Sequence, residues 1–176
     1  MIMRPGQQLL LPANPVFIWT SLVVALMLNM LMNIGPFGRA AWVPDLLAVV
    51  LVFWSVHQSL RIGVGVAFIF GLFMDVHQGA LLGQHALSYS VLSFLSITMH
   101  RRLVFFDVFN QAVQILPLFV VAQLLDLLVR FLAGDGFPGW VSMLSPVIES
   151  VIWPVASLML LAPQRRAPDP DNDRPL

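Results

Sequence analysis

Four carboxylates interrupt otherwise apolar stretches of this chain: Asp75, Asp107, Asp126 and Glu149. Paired carboxylates can share a proton, carboxylates with histidines can hold a metal, and carboxylates inside a membrane can relay protons. The spacing supports none of these well. Asp75 and His77 are two residues apart, so on a helix they face different ways, and adding His85 as a third ligand requires the chain to fold back. Nothing in the sequence brings Asp75 to Asp126 as a proton-sharing pair. There is no His-Glu-x-x-His zinc pattern, no Gly-x-Ser-x-Gly elbow and no phosphate-binding glycine loop with its lysine. Cysteine is absent, which removes any thiol nucleophile, thiolate site or disulfide. Catalysis is therefore the weaker class, and no cofactor or metal is expected.

Structural duties account for most of these polar groups. Asp126 and Arg130 are four apart and are expected to pair along one helix face. Asp107 follows Arg101 and Arg102 and suits a helix start, where an anion complements the dipole. His57 and His100 fall at expected membrane boundaries. Glu149 has no opposite charge nearby in sequence and must find a partner or reach water. Asp75 belongs to a four-residue series of mostly small residues, Gly63, Ala67, Gly71, Asp75, Gly79 and Gly83. On a helix, the part up to Asp75 makes a narrow ridge along which another backbone can approach, from this chain or from a partner. Amides of the Gly79 to Gly83 turn could cap the Asp75 carboxylate. Ser21, Ala25, Asn29 and Asn33 form a second ridge suited to gluing helices together. Asp107, Asn110, Gln111 and Gln114 cluster over two turns and need a helix, a subunit or water beside them.

The elements that must carry these groups are membrane helices. The 176 residues are 59% hydrophobic and 10% charged, with a mean hydropathy of +0.86, far more apolar than a soluble domain. All nine basic residues are arginines, balanced by nine acidic ones, and no basic patch suggests nucleic acid binding. A span needs about 20 apolar residues. Six are expected, an all-α bundle: Val16–Ile34, Trp42–Val56, Ile62–Val76, Ala80–Met99, Phe105–Phe131 and Val141–Leu161. The first is longer than a signal core of about 7–15 residues and reads as an uncleaved helix. The second is short, with Pro44 in its first turn. The fifth would be about 40 Å long and must tilt, kink at Pro117 or project from the membrane. Pro146 and Pro154 predict bends in the sixth. Residues 1–162 form a single transmembrane domain, and the Pro/Asp-rich stretch 163–176 reads as a disordered cytoplasmic tail. Placing both termini in the cytoplasm puts Arg4, Arg61, Arg101, Arg102, Arg165, Arg166 and Arg174 inside and leaves Arg39 and Arg130 outside, as the positive-inside rule favours.

Pro44-Asp45-Leu46-Leu47 opening the second span resembles the MreD family of bacterial rod shape-determining membrane proteins. So does Gly71-Leu72-Phe73-Met74-Asp75 leading through Gly79 and Gly83 to Ala86-Leu87, and size and layout agree over nearly the whole chain. The resemblance implies a non-enzymatic inner-membrane component of the cell-elongation complex. Its partners would be the bitopic scaffold MreC and, indirectly, the filament protein MreB, RodA and its penicillin-binding transpeptidase. The family is also similar in architecture to the substrate-binding S-components of energy-coupling-factor vitamin transporters, six-helix bundles, which supplies a second functional reading.

The two readings make different demands. A scaffold needs a surface for a partner's membrane helix, and the candidate packing or partner contacts are Pro44, Asp45, Gly71, Asp75, Gly79, Gly83, Asn110 and Gln114. A solute-binding subunit needs a cavity open to the outside, lined by groups such as Asp75, His77, His85 and Ser88. Against the latter, the first span lacks a paired alanine ridge for docking a coupling subunit, and the outer loops are too short for an obvious lid.

Overall fold

A computed structural model describes residues 14–34, 42–134 and 136–164, and among them every regular element is helical. The six α-helices are α1 (Pro15–Ile34), α2 (Leu46–His57), α3 (Val64–Gln78), α4 (Gln84–Val104), α5 (Val108–Leu132) and α6 (Leu144–Leu161). Short 3-10 turns, Trp140–Met143 and Ala162–Gln164, flank α6. The protein is a helical membrane bundle. Helices α1 and α5, and α6 with its flanking turns, are long and apolar enough to cross a bilayer, whereas α2 and α3 are apolar but shorter.

The centre of the bundle is α2. Nearly every residue from Leu47 to Val56 is buried, and a helix that is apolar all round belongs inside. Its 12 residues reach only about 18 Å, so it cannot span about 30 Å of hydrocarbon and depends on the helices around it. Phe53 and Trp54 meet edge to face at 5.0 Å, with Trp153 of α6 packed on Phe53 at 6.1 Å, geometries that the ring quadrupoles favour. The polar atoms of this core are paired across helices: Trp54 Nε1 donates to Ser21 Oγ at 2.8 Å, Ser55 and Ser93 hydroxyls share a 2.9 Å bond, and Trp153 Nε1 donates to Gln111 Oε1 at 3.2 Å.

Least apolar of the six, α4 survives in this setting because its hydroxyls bond to its own backbone. Ser88, Ser90, Ser96 and Thr98 each donate to the carbonyl four residues earlier, at 3.1, 2.6, 2.7 and 2.9 Å. It packs against α2, α3 and α5, while α5 in turn packs on α6. The outer faces of α1, α5 and α6 expose valine, leucine and phenylalanine, the surface that lipid requires.

Several boundaries differ from the sequence reading. The second helix begins at Leu46, so Pro44 precedes the cap and is not in the first turn. Asp45 takes the cap position because its carboxylate can accept the exposed amide of Ala48, which proline cannot do. The fourth begins at Gln84 because Gly79 and Gly83 both adopt positive φ, 63° and 102°, and turn the chain before it. It runs through Arg101 and Arg102, which occupy its last turn, not a loop, where cations suit the dipole. Pro146 sits in the first turn of α6, where no intrahelical amide bond is lost, so only Pro154 lies where a bend is expected. Pro163 and Gln164, the first two residues of the stretch read as tail, lie in a 3-10 turn. Residues 165–176 and the arginines Arg4, Arg39, Arg165, Arg166 and Arg174 lie outside the described residues.

Candidate functional site

The polar side chains that looked scattered in sequence gather at one end of the bundle. The helices alternate in direction, so the C-terminal ends of α1, α3 and α5 meet the N-terminal ends of α2, α4 and α6. Asp45, as the cap of α2, is the hub. Its Oδ1 accepts the Ala48 amide at 2.9 Å and Asn29 Nδ2 of α1 at 3.0 Å, and its Oδ2 accepts the hydroxyl of Tyr89 on α4. The Asp45 amide donates to Glu149 Oε1 at 3.0 Å, and the Ser145 hydroxyl reaches the same oxygen at 2.7 Å. Glu149, isolated in sequence, is thereby tied to the start of α2 through bonds to a carboxylate oxygen, which are stronger than those to neutral groups.

A second chain of contacts runs from α3 to α5. Asp75 is fully buried and its two oxygens collect the amides of Gly83 at 2.8 Å, His85 at 2.7 Å and Ala86 at 3.4 Å. His85 Nδ1 also lies 2.9 Å from Asp75 Oδ1, and its Nε2 is 3.9 Å from Asp126 Oδ1 on α5. Gln84 Nε2 donates to that same Asp126 oxygen at 2.7 Å. The imidazole therefore bridges two aspartates that no local spacing relates. Gly71 makes this possible: a Cβ there would stand 2.3 Å from Ala86 Cα, so only glycine lets α3 lie close enough for Asp75 to reach the start of α4.

Between these two chains lies a cavity of about 540 Å³, within the range of about 300–1,000 Å³ usual for small-molecule sites. Asp45, Glu149, Asp126, His85, Tyr89 and Arg130 contribute to its wall, with amides from Asn29, Asn33 and Gln123. Asp126 does not pair with Arg130 as expected from their spacing. Gln84 and His85 meet Asp126 through Oδ1, while Arg130 contributes to the cavity wall with a buried Nε that has no hydrogen-bond partner.

Chemically the arrangement can hold charge and hydrogen-bond a guest. It offers no aligned nucleophile, since the Ser88 hydroxyl is committed to the Gln84 carbonyl and that of Tyr89 to Asp45. Among the described residues no three histidine or acidic side chains are grouped to hold a metal. Of the four groups expected to line a solute cavity, His85 and Ser88 do so. Asp75 lies behind the wall, and His77 turns away to the Met30 carbonyl at 3.2 Å.

The candidate contact residues separate into groups. Pro44 and Asp45 line the cavity, Gly71 and Asp75 hold α3 to α4, and Gly79 and Gly83 shape the turn between them. Asn110 and Gln114 sit near the N-terminus of α5, at the opposite end of the bundle, with Asn110 exposed and Gln114 half-buried. Sequence reasoning missed Tyr89 and Arg130 as cavity residues. A signal existed for the first, because Tyr89 is the chain's one tyrosine and lies four residues after His85, on the same helix face.

A family model described as rod shape-determining protein MreD matches residues 13–162. The chain is similar to the rod shape-determining protein MreD of Haemophilus influenzae, with 25% identity over 131 residues, covering 74% of this chain and 81% of that protein. No solved structure matches the chain.

Proposed function

Because the chain belongs to the MreD family of rod shape-determining proteins, we propose that it is a non-enzymatic inner-membrane component of the cell-elongation machinery that binds an MreC-like bitopic scaffold. Through that scaffold it helps couple the MreB cytoskeleton to RodA and the penicillin-binding transpeptidase. The observation that carries this reading is the family match, which spans all six helices and not just one motif. With both termini in the cytoplasm, Arg61, Arg101 and Arg102 face inward, as the positive-inside rule favours, and the polar cavity opens toward the outside.

Gly71 is already occupied by α4, so the partner's membrane helix has to use another surface. The start of α5 offers one, where Asn110 is exposed beside Phe109 and Val113, which are 77% and 73% exposed. An amide on a lipid-facing helix is stabilised by a partner that hydrogen-bonds it. Photo-crosslinking from a residue placed at 110 should capture the MreC-like protein, whereas a crosslinker at Val151 of α6 should not. Deletion of the gene should turn rods into spheres. Unchanged rods with undisturbed MreC would overturn the scaffold reading.

The cavity favours a second reading, a solute-binding subunit like the S-components of energy-coupling-factor transporters. That reading expects a co-purifying solute and normal cell shape after deletion.

A further inference from the structure

The cavity wall contains groups of both charges whose hydrogen-bonding capacity the protein leaves unused. Glu149 commits Oε1 to the Asp45 amide and the Ser145 hydroxyl, while its Oε2 has no partner among the described residues. Asp126 likewise uses Oδ1 for Gln84 and leaves Oδ2 open. Asn29 is 2% exposed, and its Oδ1 is buried without a partner. The orientation of that amide is fixed, because its nitrogen must face the Asp45 carboxylate at 3.0 Å. Arg130, one turn along α5 from Asp126, belongs to the same wall, with an unpartnered Nε and no carboxylate within ion-pair reach among the described residues. One buried acceptor, Asn29 Oδ1, and one buried donor, Arg130 Nε, thus share this cavity with two carboxylate oxygens that no group among the described residues engages, and buried polar groups of a native protein normally have partners.

The guest must supply N–H donors and positive charge on the side of Glu149, Asp126 and Asn29, and an anion for the guanidinium fork of Arg130. Asp126 and Arg130 are one turn apart on α5, about 6 Å along the axis, so the guest's two charges must be only a few bonds apart. We propose that this cavity binds a short zwitterion, a primary ammonium linked through a few bonds to a phosphate or carboxylate. The same chemistry is carried by a phosphoethanolamine lipid headgroup and by a free soluble zwitterion. A trimethylammonium fits poorly because it has no proton to give Glu149. Binding of this guest requires neither MreC nor transport.

The test uses the purified full-length chain. In one arm it is exchanged into an equimolar mixture of phosphatidylethanolamine, phosphatidylcholine and phosphatidylglycerol, and retained lipid is read by native mass spectrometry. In the other, O-phosphoethanolamine is titrated calorimetrically. Preferential retention of phosphatidylethanolamine without binding of the free compound identifies a headgroup site, and binding of the free compound without lipid preference identifies a soluble ligand. Either supports the proposal. Equal retention of all three lipids together with no heat of binding overturns it. Arg130→Gln and Glu149→Gln should each weaken the positive arm about tenfold or more, as loss of a charge-assisted bond implies. The comparison of headgroups on unaltered protein stands even if Glu149→Gln disturbs Asp45. Measuring MreC co-purification on the same variants separates failure of this site from failure of the scaffold reading.

Discussion

Gly71 and Asp75, one turn apart on α3, act on the same contact in opposite ways, one by lacking a side chain and the other by having a charged one. Gly71→Ala would place a methyl against the Ala86 backbone, which cannot rotate away, and overpacking of this kind costs about 1–3 kcal/mol. We expect a lower Tm in detergent for Gly71→Ala and no loss for Gly65→Ala, where nothing lies within 4 Å of the added carbon and alanine favours the helix. Asp75→Asn should also be destabilising, by about 1.5–3 kcal/mol, because whichever carboxylate oxygen becomes an amide nitrogen then faces the Gly83 or the His85 amide and cannot accept from it. Asp107→Asn is the contrasting case. Asp107 caps α5 by position but its side chain makes no capping bond, so the same isosteric change removes only its charge at the helix dipole and should lower Tm less than Asp75→Asn does.

Helix pairs in a membrane lack the hydrophobic effect that joins helices in water, so close packing and a few polar bonds have to decide which faces meet. The 2.9 Å bond between Ser55 of α2 and Ser93 of α4 is such a device, buried on both sides. A double-mutant cycle with Ser55→Ala and Ser93→Ala should give a coupling of about 0.6 kcal/mol, the scale found for interhelical bonds in membranes. A coupling near zero would assign the pairing to shape alone. Arg101 and Arg102 show the other way that an element is fixed. By ending α4 in cations they complement its dipole and hold that end at the membrane surface.

At the level of the whole molecule, the six α-helices of the described residues, unequal in length, surround a polar cavity at one end and leave apolar faces outward. The alternation of the helices puts the α2–α3 link and the α5–α6 link on opposite sides of the membrane. Because the chain has no cysteine, this can be tested directly with single introduced thiols. Leu60→Cys, at a fully exposed position, should react with an impermeant maleimide only after the cytoplasm is opened, and Gly136→Cys should react in intact spheroplasts. The reverse pattern would invert the topology and move the cavity to the cytoplasmic face.

Hydropathy determined by itself that the chain is a helical membrane bundle, because water and lipid each dictate composition over whole segments. The need for glycine in the turn before α4 was equally legible, since only a residue without Cβ turns so tightly at positive φ. The partners of the charged groups were not legible. Local spacing offered Asp126 to Arg130, but Gln84, 42 positions earlier, and its neighbour His85 reach the carboxylate instead. Glu149 and Asp45 are 104 positions apart and meet only when α6 packs beside α2. A hydrogen bond needs its two atoms within about 3 Å, and the sequence carries that information only for groups on the same helix. The cavity, made of helix ends brought together from distant parts of the chain, was therefore decided by tertiary packing alone.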